Sequence, residues 1–484
     1  MGEAKHKRAL HEKALKMSLP MKRARFNLYT MGTRNSRVPY FTEEVSWWSS
    51  HDEALLGMVS LDKVDGDYSW MILARDRIGR FRCAYPNVSI KDQAHAEKML
   101  RVEMAKVITE GEIEKFGEQG DETNSPLNLF EVSTGQDPEK LHPYFKLLME
   151  EKGREPARKV LQELALWLAP SDPHLVREFQ TAGFDQRLWE LFLWAALREF
   201  SYDVEQLEAP DFSCKSPKVE FTLEATTVAP SIQGALAEHP DPKTPIEIEK
   251  FNHDYMAIKF GSALTSKLGK KNAHGLHYWE REESKDRPFV IAIADFHKPS
   301  SMSQLGSMTY TQSALWRYLY GLHVKWRIED DKVVIEEGDV EEHQFNGKKI
   351  PSNFFSLPLA ENVSAVLFSN AGTIAKFDRM GVVAGFGADG YDYFRCGFRP
   401  DSDPNAVIGK AFVDDVRAED YEEYWTQEIQ VFHNPHAKHP LSVEHLMGAS
   451  HHFIENGKLQ SLMPDDAVLS SFTNIVKYTQ VSGQ

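Results

Sequence analysis

At 484 residues the chain is too long for one ordinary core, so two to three domains are expected. A hydrophobic content of 42% with 11% aromatics excludes a disordered chain, and three distant cysteines (Cys83, Cys214, Cys396) with no CxxC exclude a disulfide framework or a cysteine zinc knuckle and fit a reducing cytoplasm. A net charge of −16 excludes a generally basic surface, so a polyanionic partner would need locally concentrated positive charge.

Residues 1–26 hold eight Lys/Arg against two Glu and read as a basic tail, either solvated or a phosphate-binding arm. The stretch lacks the apolar segment of a secretory signal. No run of about 18 apolar residues occurs, so neither a transmembrane helix nor a membrane partner is expected. Residues 27–120 read as a small α+β module. EEVSWWSS, ALLGMVSLDKV, YSWMILARD and RFRCAYPNV are expected strands, with DKVDGD and DRIGR as turns. QAHAEKMLRVEMAKVITEGEIEKF then has helical spacing, and GEQGDETNSPLN is a polar connector.

An α/β core is expected over 137–325. Three helical stretches come first: DPEKLHPYFKLLMEEKG, EPARKVLQELALWLA and FDQRLWELFLWAALREF. Pro156 stands near the start of the second, where its missing N–H does no harm. A strand follows at 219–228, a helix at about 253–281, the strand PFVIAIADF at 288–296 and the helix TQSALWRYLYG at 311–321. Residues 326–484 read as a further α/β region. It opens with two strands in HVKWRIEDDKVVIEEGDVEE and continues with a strand and then a helix or second strand in ENVSAVLFSNAGTIAKFDRMG.

Chemistry concentrates in residues 188–227. Glu190 is the only polar side chain in Leu188–Leu197, and a carboxylate in such company must be paired. Arg187, three residues back on the same helix, is one candidate partner. Asp211 follows Pro210, which biases Ala209 toward extended backbone and leads Asp211 into a strand or tight turn. In VEFTLEATT the residues Val219, Phe221, Leu223 and Ala225 point one way, while Glu220, Thr222, Glu224 and Thr226 point the other. A polar strand face among long apolar helices suggests a cleft. Converging Glu190, Asp211 and Glu224 would call for a cation, usually a divalent metal.

This order of residues resembles the PD-(D/E)XK nuclease superfamily: a helical Glu190, then Pro210-Asp211, twelve intervening residues, then Glu224-Ala225-Thr226. The resemblance implies a restriction-endonuclease-like mixed sheet flanked by helices. It also implies Mg²⁺ or Mn²⁺ held by Asp211 and Glu224, with Glu190 as an outer or additional ligand. The implied activity is phosphodiester hydrolysis, on DNA before RNA, in a bacterial cytoplasm and by family analogy in defence against foreign DNA. Thr226 stands where the family has its lysine. The helix YMAIKFGSALTSKLGKK offers Lys259, Lys267, Lys270 and Lys271 instead, and Lys267, among Ala263, Leu264 and Leu268, is the expected substitute. The flanking modules would recognise substrate, a protein partner or a second copy of the chain. Two other readings stand beside this one: a nuclease-like core that binds or assembles without cleaving, and a metal-dependent hydrolase of a small nucleotide.

Other features read as structural. Gly385-Phe-Gly387-Ala-Asp-Gly390 matches GxGxxG, with GVVA as a conceivable preceding strand, but the extended YDYFRCGF after it favours a glycine turn. His433, His436 and His439, with His445, His451 and His452 downstream, read as a turn-rich loop with partly exposed rings. Asp295 and His297 end a strand near the open edge of the core, and Gln312 could face the same cleft. No GxSxG and no GxxxxGK[ST] occurs, which weakens esterase and NTPase readings.

Overall fold

A computed structural model of the chain describes residues 12, 14–111, 127–133, 136–168, 174–297, 312–329, 332–403, 406 and 409–478. The fold is mixed α/β in two compact units. The first comprises Met1–Ser133, Lys159–Val176 and Val383–Phe386, and the second Thr134–Arg158, Arg177–Val382 and Gly387–Gln484.

The first unit is built on an antiparallel sheet of β1 (Ser18–Pro20), β2 (Thr42–Ser50), β3 (Leu55–Asp62), β4 (Tyr68–Arg75) and β5 (Phe81–Ile90) in that order. Helix α1 (Arg23–Thr30) lies between the first two strands in sequence. Helix α2 (Gln93–Glu110) packs Ala96, Leu100 and Met104 onto Leu55, Val59 and Ile72 of the sheet. Asp92 caps its first turn through His95 N, and Gly111 ends it in the left-handed region at φ 66°. All four strands and the helix expected here are present. The basic tail is shorter than expected: Ser18 pairs with Ser50 and is buried, so the chain is part of the sheet from there on. Residues 1–11 and 13 of the tail lie outside the described residues.

The second unit carries the candidate site. Its strands are β6 (Asp203–Gln206), β7 (Phe212–Lys215), β8 (Glu220–Val228), β9 (Phe289–Asp295), the hairpin β10–β11 (Leu322–Glu329, Lys332–Asp339) and the hairpin β12–β13 (Glu342–Phe345, Lys348–Pro351). They continue with β14 (Ala365–Phe368), β15 (Tyr391–Arg399), β16 (Lys410–Asp415), β17 (Gln430–His433), β18 (Ser450–Glu455), β19 (Lys458–Leu462) and β20 (Ser470–Lys477). Eight of them form one mixed sheet in the order β19-β18-β17-β14-β9-β8-β7-β6. At its centre β8, β9 and β14 run parallel, and β7 joins β8 antiparallel. Residues 326–484 therefore do not form a region of their own, because four of their strands extend the sheet begun by 203–295.

Both faces of the sheet are covered, which is why β9 is buried and apolar along nearly its whole length. Helix α3 (Phe184–Glu199) lies on one face, where Trp189 donates to Ala292 O at 3.4 Å. Its residues are apolar almost all round, as a helix sunk in a core requires. On the other face Phe260 and Leu264 of α4 (Ala257–Gly269) and Leu315 and Leu319 of α5 (Gln312–Tyr320) pack with Phe289, Ile291 and Ile293. The helix expected over 253–281 is broken. A short helix, Pro245–Phe251, leads through a π turn, Asn252–Met256, into α4, which stops at Gly269. Beyond it the Asn272 side chain accepts from His274 N and Leu276 N, holding a turn in place of helix. Gly381-Val382-Val383 belongs to helix α6 (Ile374–Val383), so no strand precedes Gly385 and the glycine motif is a turn, with φ 84° at Gly385 and 80° at Gly390.

A buried ionic network ties α6 to later segments. Glu423 accepts from Lys376 Nζ at 2.6 Å, from Arg379 Nε at 2.9 Å and from Tyr421 OH at 2.6 Å, while Arg395 approaches it at 3.6 Å. The surrounding cations hold the Glu423 carboxyl well below the usual range despite its burial. Glu423→Gln leaves Lys376, Arg379 and Arg395 short of one counter-charge. It is expected to destabilise the protein by about 3–5 kcal/mol, read as a lower urea midpoint, whereas a change under about 1 kcal/mol would show the network to be dispensable.

Candidate active site

The site sits where β8 loses a neighbour. Strands β7 and β8 pair only from Lys215↔Glu220 to Phe212↔Leu223, while β8 continues to Val228. Thr222 N donates to Pro288 O on the β9 side, so the backbone groups of the even residues face β9 and those of Leu223 and Ala225 face β7. At Ala225 that edge is open, and two side chains occupy it. Asp211, the residue just before β7, accepts from Ala225 N through Oδ2 at 2.6 Å. Gln186 of α3 donates to Ala225 O at 3.4 Å.

Side chains reach this gap from both faces of the sheet. Glu224 and Thr222 point toward the α4 face, as the sequence alternation predicts, and both are buried. Thr222 is satisfied by Ser284 at 2.9 Å. Glu224 Oε1 accepts from Lys267 Nζ at 2.6 Å and from Tyr278 OH at 2.7 Å. Glu224 Oε2 is buried with no hydrogen-bond partner among the described residues. From the α3 side comes Glu190, whose oxygens accept from Gln186 at 2.9 Å and from Arg187 at 2.6 Å. Arg187 also pairs with Glu178 at 2.7 Å.

The electrostatics show an excess of negative charge. Burial, then the carboxylates of Glu224 and Glu190, push the Asp211 carboxyl from an ordinary 3.8 up to about 8, against the opposing Ala225 N–H and Lys267. Burial and the Glu224 carboxylate push the Tyr278 phenol up as well. Positive groups gather at the rim. Arg281 lies 4.8 Å over the Tyr278 ring and donates to Ala209 O, and Lys270 lies 5.7 Å from the same ring.

Glu224 and Lys267 pair on the α4 face, and Asp211 at the strand edge feels the charge of both and of Glu190, which arrives from the α3 side. Among the described residues no group of three or more His, Cys, Asp or Glu is placed to hold a metal. Both oxygens of Glu190 are engaged, by Gln186 and Arg187, and it acts on Asp211 as a neighbouring charge. Asp211 and Glu224, with the unpartnered Oε2, remain a donor pair of hard oxygens that suits Mg²⁺ or Mn²⁺. Thr226 lies on the buried polar face and Lys267 arrives from the last turn of α4. Gln186 was legible as the residue one turn before Glu190. Tyr278 and Arg281 were not, because they come from an irregular stretch.

The other candidates lie apart from this gap. His433 Nε2 and His451 Nδ1 are 2.9 Å apart at the ends of β17 and β18, in the sheet rather than in a loop, and burial pulls His433 down to about 4. Asp295 Oδ1 and His297 Nδ1 pair at 2.7 Å at the end of β9. Gln312 opens α5, and its side chain lies outside the described residues. Among the described residues no helix is long and apolar enough to cross a membrane.

The raised Asp211 makes stability depend on pH. Between about pH 4 and 8 the folded state keeps a proton that the unfolded chain releases, so stability falls as pH rises through that window. Asp211→Asn still offers an oxygen to Ala225 N and is never charged. It is expected to flatten the slope and to melt above wild type at pH 8. Mg²⁺ or Mn²⁺ should raise the wild-type melting temperature at pH 8 and leave the variant unmoved. Parallel melting profiles for the two proteins would contradict this account of the site. Compared with protein-family models, curated proteins and solved structures, the chain matches none.

Proposed function

We propose that the gap between β7 and β8 is the active site of a metal-dependent nuclease, with DNA as the leading substrate. The observation that carries this reading is the Lys267 ammonium 2.6 Å from Glu224, beside an Asp211 held up by surplus negative charge. A lysine is thereby supplied from α4 in place of Thr226. The order Glu190, Pro210-Asp211, Glu224 that resembles PD-(D/E)XK nucleases supports the same reading.

Asp211 and Glu224 would hold Mg²⁺ or Mn²⁺, which when bound supplies polarisation of the scissile phosphate and a lowered pKa for a bound water. The chain's own groups do the rest. Lys267 Nζ orients the attacking water and offsets developing charge. Tyr278 donates to the same Glu224 oxygen as Lys267, which leaves Oε2 without a partner. Arg281 and Lys270 at the rim offer positive charge to neighbouring phosphates, which a chain of net charge −16 must concentrate locally.

The test is cleavage of linear, supercoiled and single-stranded DNA, with RNA alongside, in Mg²⁺ or Mn²⁺. Asp211→Asn and Glu224→Gln are expected to lower the rate at least about a hundredfold, and Lys267→Ala by on the order of 10²–10⁴, the usual range for a positioned proton-transfer group. Equal cleavage by all three variants would reject the site. A second reading, a nuclease-like core that binds or assembles without cleaving, draws on the Glu224–Lys267–Tyr278 cluster as a self-contained buried pair and on the engaged Glu190. It predicts no cleavage by wild type and a stability loss in Lys267→Ala.

A further inference from the structure

A cavity lies at the other end of the same strand and helix. Beyond Val228 the chain leaves β8, and a cavity of about 440 Å³ opens between Ala229–Leu236, α4 and Lys348 of β13. Two ammonium groups face it. Lys259 is 6% exposed, and its Nζ donates to Ala229 O at 2.5 Å and to Ser231 Oγ at 2.8 Å. Lys348 donates to Ser262 Oγ at 2.9 Å. All these partners are neutral oxygens, and among the described residues neither lysine forms an ion pair. Burial pulls Lys259 down to about 8, with Asp295 opposing and Lys348 adding repulsion.

The charge pattern is the reverse of that at Asp211. A nearly buried cation costs free energy unless an anion meets it. Each ammonium has three donors, so Lys259 keeps one in reserve and Lys348 two, while Ser231, which accepts from Lys259, can turn its hydroxyl proton toward an oxyanion. We propose that this cavity is a phosphate-binding subsite for the polynucleotide substrate, an occupant that rests on the nuclease reading. Lys259 and Lys267 are eight residues apart on α4, about 12 Å at 1.5 Å per residue. A strand running along α4 with one phosphate at Lys267 would bring the phosphate about two nucleotides away to Lys259.

The experiment measures anisotropy of a fluorescent 12-mer, single-stranded and duplex, on the full-length protein without divalent metal across a salt series. Lys348→Gln and Lys259→Gln are compared with wild type and with the surface control Lys63→Gln. Loss of one phosphate contact is expected to weaken binding about tenfold and to make the slope of log affinity against log salt shallower by about 0.7 on single strands or 0.9 on duplex. Thermal melts check folding, and the half-buried Lys348 carries the test if Lys259→Gln unfolds. Unchanged affinity and slope in both variants overturn the proposal. So does a wild type that binds inorganic phosphate or a mononucleotide through these lysines but no oligonucleotide. A wild type that binds through both lysines yet cleaves nothing supports the subsite and rejects the nuclease. Cleavage with lysine variants that bind like wild type does the reverse.

Discussion

A strand that loses its partner partway along leaves backbone groups in need of new partners, and the candidate site follows from that requirement. After Leu223 the edge of β8 toward β7 is open. The N–H and C=O of Ala225 are satisfied by Asp211 and Gln186 rather than by a neighbouring strand. Because unpaired buried backbone groups are rare and expensive, this edge fixes where Asp211 lies. It also fixes where α3 must present Gln186, and one turn later Glu190. Glu224, the residue before Ala225, is then carried to the same spot on the α4 face, where Lys267 and Tyr278 meet it.

The same arrangement explains why the cluster is not a self-neutralising salt-bridge network. Arg187 is shared between Glu190 and Glu178, and Lys267 serves Glu224, which leaves Asp211 with a backbone N–H as its hydrogen-bond partner. The Glu423 network shows the contrast. There Lys376, Arg379 and Arg395 surround two carboxylates, Glu423 and Glu428, and drive the pKa of both down, as in a structural ion cluster. At Asp211 the surplus has the opposite sign and the pKa rises. Two buried clusters in one unit thus separate by their charge balance, one with its acids outnumbered by cations and one with surplus negative charge.

Much of the site was legible because it rests on local periodicity. The alternation of VEFTLEATT placed Glu224 and Thr222 on one face, and the apolar run around Glu190 marked a carboxylate that needed a partner. Lys267 could be chosen because the spacing of Leu264 and Leu268 set the packed face of α4. What stayed hidden depends on non-local pairing or on irregular backbone. Tyr278 and Arg281 follow the turn at Asn272, which ends a helix that the composition alone extends. Strand β14 lies parallel to β9 through a connection of about seventy residues, and no local signal marks such a partner. The membership of β17–β19 in the same sheet, and hence the failure of a boundary near 325, follows from that pairing.

The two ends of β8 carry opposite charge demands, and both are met from α4. At Glu224 the helix supplies one cation to a group of acids, and the balance stays negative. At Val228 the same helix, eight residues earlier, supplies Lys259 beside Lys348 with neutral hydroxyls and a carbonyl for company, and the balance stays positive apart from Asp295. Neither imbalance favours the folded chain by itself, since each leaves a buried or half-buried charge under-compensated. On the proposed nuclease reading, a bound phosphodiester with its cation would reverse both at once: the metal would answer Asp211 and Glu224, and further phosphates would answer Lys259 and Lys348. The two opposed electrostatic demands thus sit eight residues apart on one helix, in the order that a metal-bound polynucleotide would answer.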